Sequence, residues 1–485
     1  MFNPKAWAFI LGTMLLVTAG AMLLPVACSL LYGEDDLVAL LISMGVAIAV
    51  GLPLRLGFRR SQTVTSRDAL VIATLGWVVI SLVSALPFVL HGSIPHFADA
   101  FFEMMSGYTT TGATVLTDIE AVPHGLLMWR SETHLLGGMG FITLAVVFLP
   151  HGVLGLRLFR AESSPGQGIT GERFTARNRD AMGFLWAIYL ALNAAQIVLL
   201  WIGGMSLFDS LCHAFGTVST SGYSTYNASM GAFDSAWFDW VTVVFMFLGG
   251  VSFVLFYQLF AGNFRRLRID TELRWYIGFT LAFCLAVAGI LYSGGVYGFA
   301  DSLRHGSFQV VSLLTTTGFT TVDYETWPNS AQMLLYVVCF IGACAGSTTS
   351  GIKVVHYVII LKFLSAAVKK LFFQPLAVVS VRLNNQRMEA SAIHLALAYL
   401  IANLFIIGFG AVVITLTDDL DVESAISAVI ATLMNIGPGF GDVGPSHNYA
   451  FFSPAGKTFL SVLMLVGRLE MFSALALLYP SFWRQ

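Results

Sequence analysis

Four short stretches concentrate oxygen-bearing groups around a glycine: GYTTTGATVL (107–116), TVSTSGYSTY (217–226), LLTTTGFTTV (313–322) and LMNIGPGFGD (433–442). They align on Gly112, Gly222, Gly318 and Gly437. Just ahead of these lie Thr110 and Thr111, Thr220 and Ser221, Thr316 and Thr317, and Asn435 and Ile436. Such residues bring no adjacent acid or base that would activate a hydroxyl for catalysis. They supply hydroxyls and a backbone that glycine frees to take unusual angles. Rings of such oxygens can replace the water shell of an alkali cation. One copy alone reads equally well as packing, because Ser, Thr and Gly also pack membrane helices. Four copies in matching phase argue for a shared role.

The elements that must position these stretches are apolar. Of 485 residues, 57% are hydrophobic and 11% charged, and mean hydropathy is +0.79. Soluble domains are about 25% charged, so a membrane protein is expected. Ten charge-poor runs approach the ~20 residues of a bilayer crossing: 7–31, 37–54, 69–90, 133–150, 181–207, 240–261, 275–298, 331–352, 391–417 and 457–480. Ahead of each glycine lies a run of about half that length, FADAFFEMM (97–105), FDSLCHAF (208–215), FADSLRHGSF (299–308) and DVESAISAVIATL (421–433). Asp99, Asp209 and Asp301 are expected as N-caps. Each unit thus reads as span, re-entrant half-helix, glycine-centred strand, span. Two crossings separate successive glycines, so all four segments enter from one side and the repeats are parallel rather than inverted. The expected fold is an all-α polytopic membrane protein. Four repeats (61–160, 161–266, 267–375 and 376–485) surround a central pseudo-four-fold pore, after an N-terminal pair of spans in 1–60.

Charge sets the orientation. Arg55 to Arg67, Arg157 to Arg179, Arg265 to Arg274 and Lys362 to Arg387 fill four connections on one side, while Glu34 to Asp36, Asp118, Glu120, Asp323 and Asp418 to Asp421 lie on the other. The positive-inside rule places the basic side and both termini in the cytoplasm. Cys28, Cys212, Cys284, Cys339 and Cys344 have no paired spacing and read as small packing residues. His134, His213, His356 and His394 lack ligand spacing and read as core or interfacial. Asn193 and Gln196 are expected to bond between helices. Trp7, Trp77, Trp129, Trp237, Trp240, Trp275 and Trp327 fit an aromatic belt. A short strand is expected around 379–383, and the basic connections 157–179 and 362–390 are the surfaces open to a cytosolic partner or to anionic lipid.

The second span of each repeat has its own small-residue landmark at Gly137, Gly249, Gly342 and Gly467. The next position reads Gly138, Gly250, Ala343 and Arg468. An arginine inside a span is costly and marks function by default. It reads either as a cation-repelling barrier near the conduction path or as half of a structural salt bridge. In the third repeat, GACAGSTTSGIK (342–353) places Gly346, Ser347, Thr348, Thr349, Ser350 and Gly351 before Lys353. That composition disfavours a continuous helix. It reads as a kinked packing segment or as a mobile loop under the glycine strands, tethered by Lys353.

These four repeats, with one glycine per strand and NIGPGF in the fourth, resemble the Trk/Ktr/HKT potassium transporter superfamily, and within it the TrkH family of bacterial Trk membrane subunits. The resemblance spans essentially the whole chain. It implies potassium coordination at the twelve strand residues from Thr110 to Gly437 named above, and a potassium preference, because relatives with serine at the first glycine tend to favour sodium. It also implies that the third-repeat segment is the intramembrane gate, and Arg468 is placed with it as a gating residue on its own charge. Rubidium is expected as an accepted surrogate, with no organic cofactor. A homodimer and a cytosolic Rossmann-type nucleotide-binding subunit, TrkA, are the implied partners, in the bacterial inner membrane; nucleic acid is not expected. Two rivals remain. A symporter coupled to sodium or protons is disfavoured by parallel repeats and by the lack of acidic residues expected near a midplane site. A membrane hydrolase would need paired carboxylates, Ser/His or metal-ligand spacing, and none is apparent.

Overall fold

The computed structural model describes residues 2–58, 65–140, 178–372, 381–384 and 386–484. Apolar length decides its frame. Among the described residues, six stretches are long and apolar enough to cross a bilayer: Pro4–Tyr32, Leu37–Gly57, Arg67–His91, Met182–Ile202, Thr271–Ser293 and Ala390–Asp418. Each buries only part of its surface and leaves leucines and phenylalanines such as Leu281, Leu285, Phe405 and Phe409 exposed, as a lipid-facing helix must. The first two pack closely because Gly12 and Gly51 face each other's backbone; a Cβ on Gly12 would lie 2.7 Å from both Arg55 N and Gly51 O.

After each of the other four spans comes a short re-entrant helix: Phe97–Tyr108, Leu207–Val218, Phe299–Leu314 and Val422–Leu433. Three of them have 12 residues and reach ~18 Å, and Phe299–Leu314 has 16 and reaches ~24 Å, all short of the ~30 Å hydrocarbon core. Asp99, Asp209 and Asp301 sit in the first turn rather than at the N-caps, which are His96, Ser206 and Gly298. Ser206 and Asp209 pair reciprocally there, with Asp209 N donating to Ser206 Oγ at 3.0 Å and that hydroxyl donating to the carboxylate at 2.6 Å. A carboxylate in the first turn complements the helix dipole as a cap would. In the fourth repeat Asp421 is the N-cap, and hydrogen bonds from Ser424 hold its carboxyl below the usual range.

The inner helices depart from the expected spans. They begin earlier, at His124, Ala236, Asn329 and Pro454, and stop near the small-residue landmarks. Ala236–Gly249 turns through 91° into Phe253–Phe260, and Pro454–Arg468 through 120° into Phe472–Leu478. The expected crossing 331–352 is instead the helix Asn329–Val338, a non-helical segment, and the helix Val354–Lys370. His124–Gly138 lies largely ahead of the expected run 133–150, whose remainder is outside the described residues. A break expected only in the third repeat therefore recurs in the second and fourth. Glycine pairs and Arg468 end these helices because other repeats approach their last carbonyls.

Smaller readings also change. Trp77, Trp129 and Trp327 are core residues rather than belt residues, whereas Trp237 and Trp240 are exposed. Asn193 bonds within its own helix, to Tyr189 O at 2.9 Å; Gln196 does bridge helices, to Thr217 Oγ1 at 2.8 Å. All five cysteines are buried and unbridged. The short strand is Arg382–Leu383, paired antiparallel with Gln386–Arg387. Of the expected repeat boundaries, those at 60, 160 and 375 lie outside the described residues, as does most of 157–179; the boundary at 266 falls inside the helix Phe264–Ile269.

The glycine contact between the first two spans is testable. Gly12→Leu should lower the melting temperature of the detergent-purified protein, at a cost of about 1–3 kcal/mol for overpacking against backbone. Gly20→Leu, which meets open space, should leave it unchanged.

Candidate functional site

Each re-entrant helix ends in the same way. The N–H of Thr110, Thr220, Thr316 and Asn435 bonds three residues back, to Gly107, Thr217, Leu313 and Thr432; the N–H of the following residue bonds five back, to Ser106, Gly216, Ser312 and Ala431. This is the Schellman pattern, in which the terminating residue takes left-handed angles and is normally glycine. Here it is never glycine. Thr110, Thr220, Thr316 and Asn435 have φ of 54°, 58°, 54° and 55°. For a β-branched residue this is an outlier, at about 1–3 kcal/mol each. Two residues later the glycines are again left-handed, at φ 82°, 78°, 82° and 94°.

The four strands meet. A Cβ on Gly112 would overlap the carbonyl oxygen of Ser221, one on Gly222 that of Thr317, one on Gly318 that of Ile436, and one on Gly437 that of Thr111. Each glycine thus abuts the residue preceding the next repeat's glycine, and the fourth returns to the first. The result is a closed ring in which the carbonyls of Thr111, Ser221, Thr317 and Ile436 lie beside their neighbours' glycines. All four glycines also line one cavity, together with Asn227, Pro438 and His447 from the loops that follow them.

Hydroxyls stiffen three of the strands. Thr109 and Thr111 share a hydrogen bond at 2.8 Å, Ser219 and Ser221 one at 2.5 Å, and Thr315 and Thr317 one at 2.8 Å. The fourth strand has Met434 and Ile436 at those positions and cannot form such a pair. Instead the Asn435 side chain donates to Thr111 Oγ1 at 2.8 Å and to Met464 O at 2.9 Å. The strand with Pro438 is thereby tied to the first repeat and to its own inner helix.

A second support was not legible beforehand. Nine residues before each of the first three glycines stand Glu103, His213 and Gln309. Glu103 accepts from Val115 N at 2.8 Å and Thr114 Oγ1 at 2.9 Å; His213 bonds Ser224 Oγ at 2.9 Å; Gln309 reaches Thr321 Oγ1 at 3.4 Å. In the fourth repeat Ser427 accepts from Phe440 N at 2.6 Å. A polar group thus holds every descending strand to its own re-entrant helix. The signal was present as a carboxylate in an apolar half-helix. With Glu132, 6% exposed in the first inner helix, it also corrects the expectation that buried acidic residues are lacking. His134 is buried and His356 half-buried, stacked on Tyr223 and Tyr399.

Beneath the strands, on the side away from those loops, runs the segment 339–353. Gly346 and Gly351 take φ of 74° and 75°. Its ends are joined by Gly342 N to Ile352 O at 2.9 Å and Val354 N to Ala343 O at 3.0 Å. The middle touches the glycine strands: Ser350 N donates to Thr316 Oγ1 at 3.1 Å, and Thr220 Oγ1 lies 3.4 Å from Thr348 Oγ1. Thr348 Oγ1 also donates to Gly249 O at 3.0 Å, at the second-repeat break. Ser347 and Thr349 bond each other at 2.7 Å, and Lys353 Nζ folds back onto Thr349 O and Oγ1.

Arg468 ties this layer together. One guanidinium nitrogen donates to Thr348 O at 2.9 Å, Thr110 Oγ1 at 3.2 Å and Ser350 Oγ at 3.4 Å; the other donates to Gly137 O at 2.6 Å and Gly138 O at 2.9 Å. A fourth-repeat arginine therefore spans the end of the first repeat's inner helix, that repeat's strand and the third-repeat loop. Carbonyls and hydroxyls solvate its charge at this point.

The ring makes one demand on every glycine. Gly112→Ala should fold but lose any rise in melting temperature caused by potassium or rubidium, because its methyl would occupy the place of the Ser221 carbonyl. Gly183→Ala, in open space on an outer helix, should keep it.

Against known proteins, residues 39–482 match the family model TrkH, described as a cation transport protein. The Trk system potassium uptake protein TrkH of Salmonella typhimurium is 37% identical over 99% of each chain, and that of Escherichia coli K12 is 36% identical over the same share. The crystal structure of the potassium transporter TrkH from Vibrio parahaemolyticus superposes with a TM-score of 0.90 at 32% identity, covering all of both chains. With its ring, broken inner helices and full-length likeness, this chain belongs to the TrkH family of cation transport proteins.

Proposed function

We propose that this chain is the potassium-translocating membrane subunit of a Trk-type uptake system, carrying the ion by gated, channel-like permeation. The closed ring of strand carbonyls carries this reading. Such a ring presents preorganised oxygens to a bare monovalent ion, and the four re-entrant helices point their partially negative C-terminal ends at it. Potassium is the cargo, with rubidium as a surrogate. The coordinating set is Thr110, Thr111, Gly112 and their counterparts in the other three repeats. The 61–160, 161–266, 267–375 and 376–485 division into pore repeats belongs to the same proposal.

In the gate reading, the segment containing Gly346 to Gly351 and Lys353 blocks the path under the ring, and Arg468 holds it there. Its positive charge adds an electrostatic barrier to cations. Opening then requires the loop to leave Thr220, Thr316 and the carbonyl of Gly249. A homodimer in the bacterial inner membrane, both termini cytoplasmic, regulated by the cytosolic nucleotide-binding subunit TrkA, completes the proposal. The relatives' potassium-uptake names and the basic connections support it.

A symporter is the rival, and the buried Glu103 and Glu132 keep it open. With the membrane potential dissipated, proteoliposomes should show no rubidium uptake against its gradient when only a sodium or proton gradient is imposed. Uphill uptake under those conditions sinks the passive reading. Gly318→Ser should lower potassium-over-sodium preference in competition uptake, and unaltered preference in flux-competent protein removes the ring from selectivity. Arg468→Ala should raise flux. Losing even one charge-assisted hydrogen bond, worth roughly 1.5–3 kcal/mol, shifts a two-state loop about tenfold or more toward release. Flux unchanged in stable protein would leave Arg468 a structural tie only.

A further inference from the structure

The four polar supports behind the strands are not equivalent. Three of them are uncharged or weakly donating groups, but in the first repeat Glu103 also accepts from Arg130 Nε at 2.7 Å. Both side chains are within 2% of complete burial. Arg130 belongs to the first inner helix, seven residues before Gly137; the equivalent positions in the other repeats are Thr242, Leu335 and Leu460. An ion pair with no counterpart breaks the four-fold symmetry at one point.

What that pair holds is the second repeat's strand. Arg130 Nη1 donates to Ser224 O at 2.9 Å. Its guanidinium carbon lies 3.5 Å from the centroid of the Tyr223 ring, and Tyr223 directly follows Gly222. His134, one turn along the same helix, stacks on that ring at 4.0 Å and 20°. Two groups cannot share the same space over one ring. They are ~6 Å apart along the helix, so Tyr223 is inserted between them. Its hydroxyl then donates to Glu103 O at 2.7 Å and lies 3.1 Å from Ala113 O, just past Gly112. Glu103 completes the circuit through Thr114 and Val115. Arg130, Glu103 and Tyr223 thus fix the descending strands of repeats one and two to each other, immediately beyond two of the four glycines.

We propose that Glu103 and Arg130 are positioning residues for ion selectivity, which hold the first- and second-repeat glycine strands at the separation suited to potassium. This rests on the ring being the selective site. Arg130 lines the cavity that the four glycines share and Glu103 does not, but the hydrogen bonds of both run to the descending strands rather than to the ring carbonyls. They act through Tyr223 and Ser224 on one strand and through Thr114 and Val115 on the other. A buried pair is not needed for stability as such, since neutral groups of similar shape often replace one without loss. Its planar fork offers something else: one guanidinium can meet a carboxylate, a carbonyl and a ring face together, which an ammonium cannot.

The test uses the full-length protein, purified and reconstituted in liposomes, with 86Rb uptake competed by sodium. Three variants are compared: Glu103→Gln, Arg130→Lys and the double variant Glu103→Gln/Arg130→Gln. Alongside flux, the rise in melting temperature caused by potassium and by sodium is read in detergent, so that a folded but non-conducting variant still reports. The expected result is a roughly tenfold or greater fall in rubidium-over-sodium preference, or a comparable narrowing of the potassium-over-sodium difference in stabilisation, as one misplaced oxygen row would cause. The neutral double variant should keep its ion-free melting temperature yet remain unselective. If all three variants keep wild-type preference by both readouts while Gly318→Ser loses it, the clamp proposal fails and the ring reading stands. If Gly318→Ser also keeps it, the ring reading itself has failed. A change in ion-free stability alone, with preference intact, likewise overturns the positioning role.

Discussion

The fold depends on one steric condition: four backbones must approach a common line closely enough for their carbonyls to sit beside one another's α-carbons. A Cβ at Gly112, Gly222, Gly318 or Gly437 would overlap an oxygen of the neighbouring repeat, so this close approach favours glycine for space as well as for its positive φ. The condition propagates backward along the chain. For a strand to leave the end of its helix in the required direction, Thr110, Thr220, Thr316 and Asn435 must themselves be left-handed. None is glycine, so the strain is held in by the surroundings.

Those surroundings are arranged in shells. Helix-terminal hydrogen bonds hold the start of each strand, and Glu103, His213, Gln309 and Ser427 hold its return. Neighbouring repeats are then tied at the mouth. Asn227 accepts from Ile119 N at 3.1 Å, Gly231 N donates to Thr320 O at 3.1 Å, Tyr324 OH to Gly439 O at 2.6 Å, and Tyr449 N to Thr114 O at 2.8 Å. These contacts again run around the circle and close it. A partly buried ion pair, Lys457 with Asp99 at 2.8 Å, adds a further link between the fourth and first repeats. Because these backbone groups are paired inside protein, irregular structure can persist at membrane depth.

On the other side of the ring the repeats are joined differently. The breaks in the inner helices leave carbonyls without helical partners, and these carbonyls receive the third-repeat loop and Arg468. Gly137 and Gly138 accept from the arginine, while Gly249 and Gly250 accept from Thr348 and Cys344. The breaks are therefore functional acceptors for one another's repeats. A loop held by such exchangeable hydrogen bonds, rather than by apolar packing alone, can be released without unfolding the helices around it.

The sequence by itself determined the membrane class, the repeat phase, the half-length helices and the twelve strand positions, because hydrophobic length and glycine placement are local signals. It also singled out Arg468 and the 342–353 segment, since charge and small residues inside a span are conspicuous. Only the tertiary structure decided that the ring closes in the order one, two, three, four. It also revealed the left-handed threonines, the pairing of Glu103 with Arg130, and the breaks in the second and fourth inner helices. It turned Trp77 and Trp129 from belt to core, and it moved Asp99, Asp209 and Asp301 from caps to first turns. The ring order and the helix breaks depend on what another repeat, distant along the chain, brings within contact distance; the Glu103–Arg130 pair depends on how two helices of one repeat pack; the left-handed threonines and shifted aspartates depend on hydrogen-bond geometry at helix ends that residue types alone do not fix.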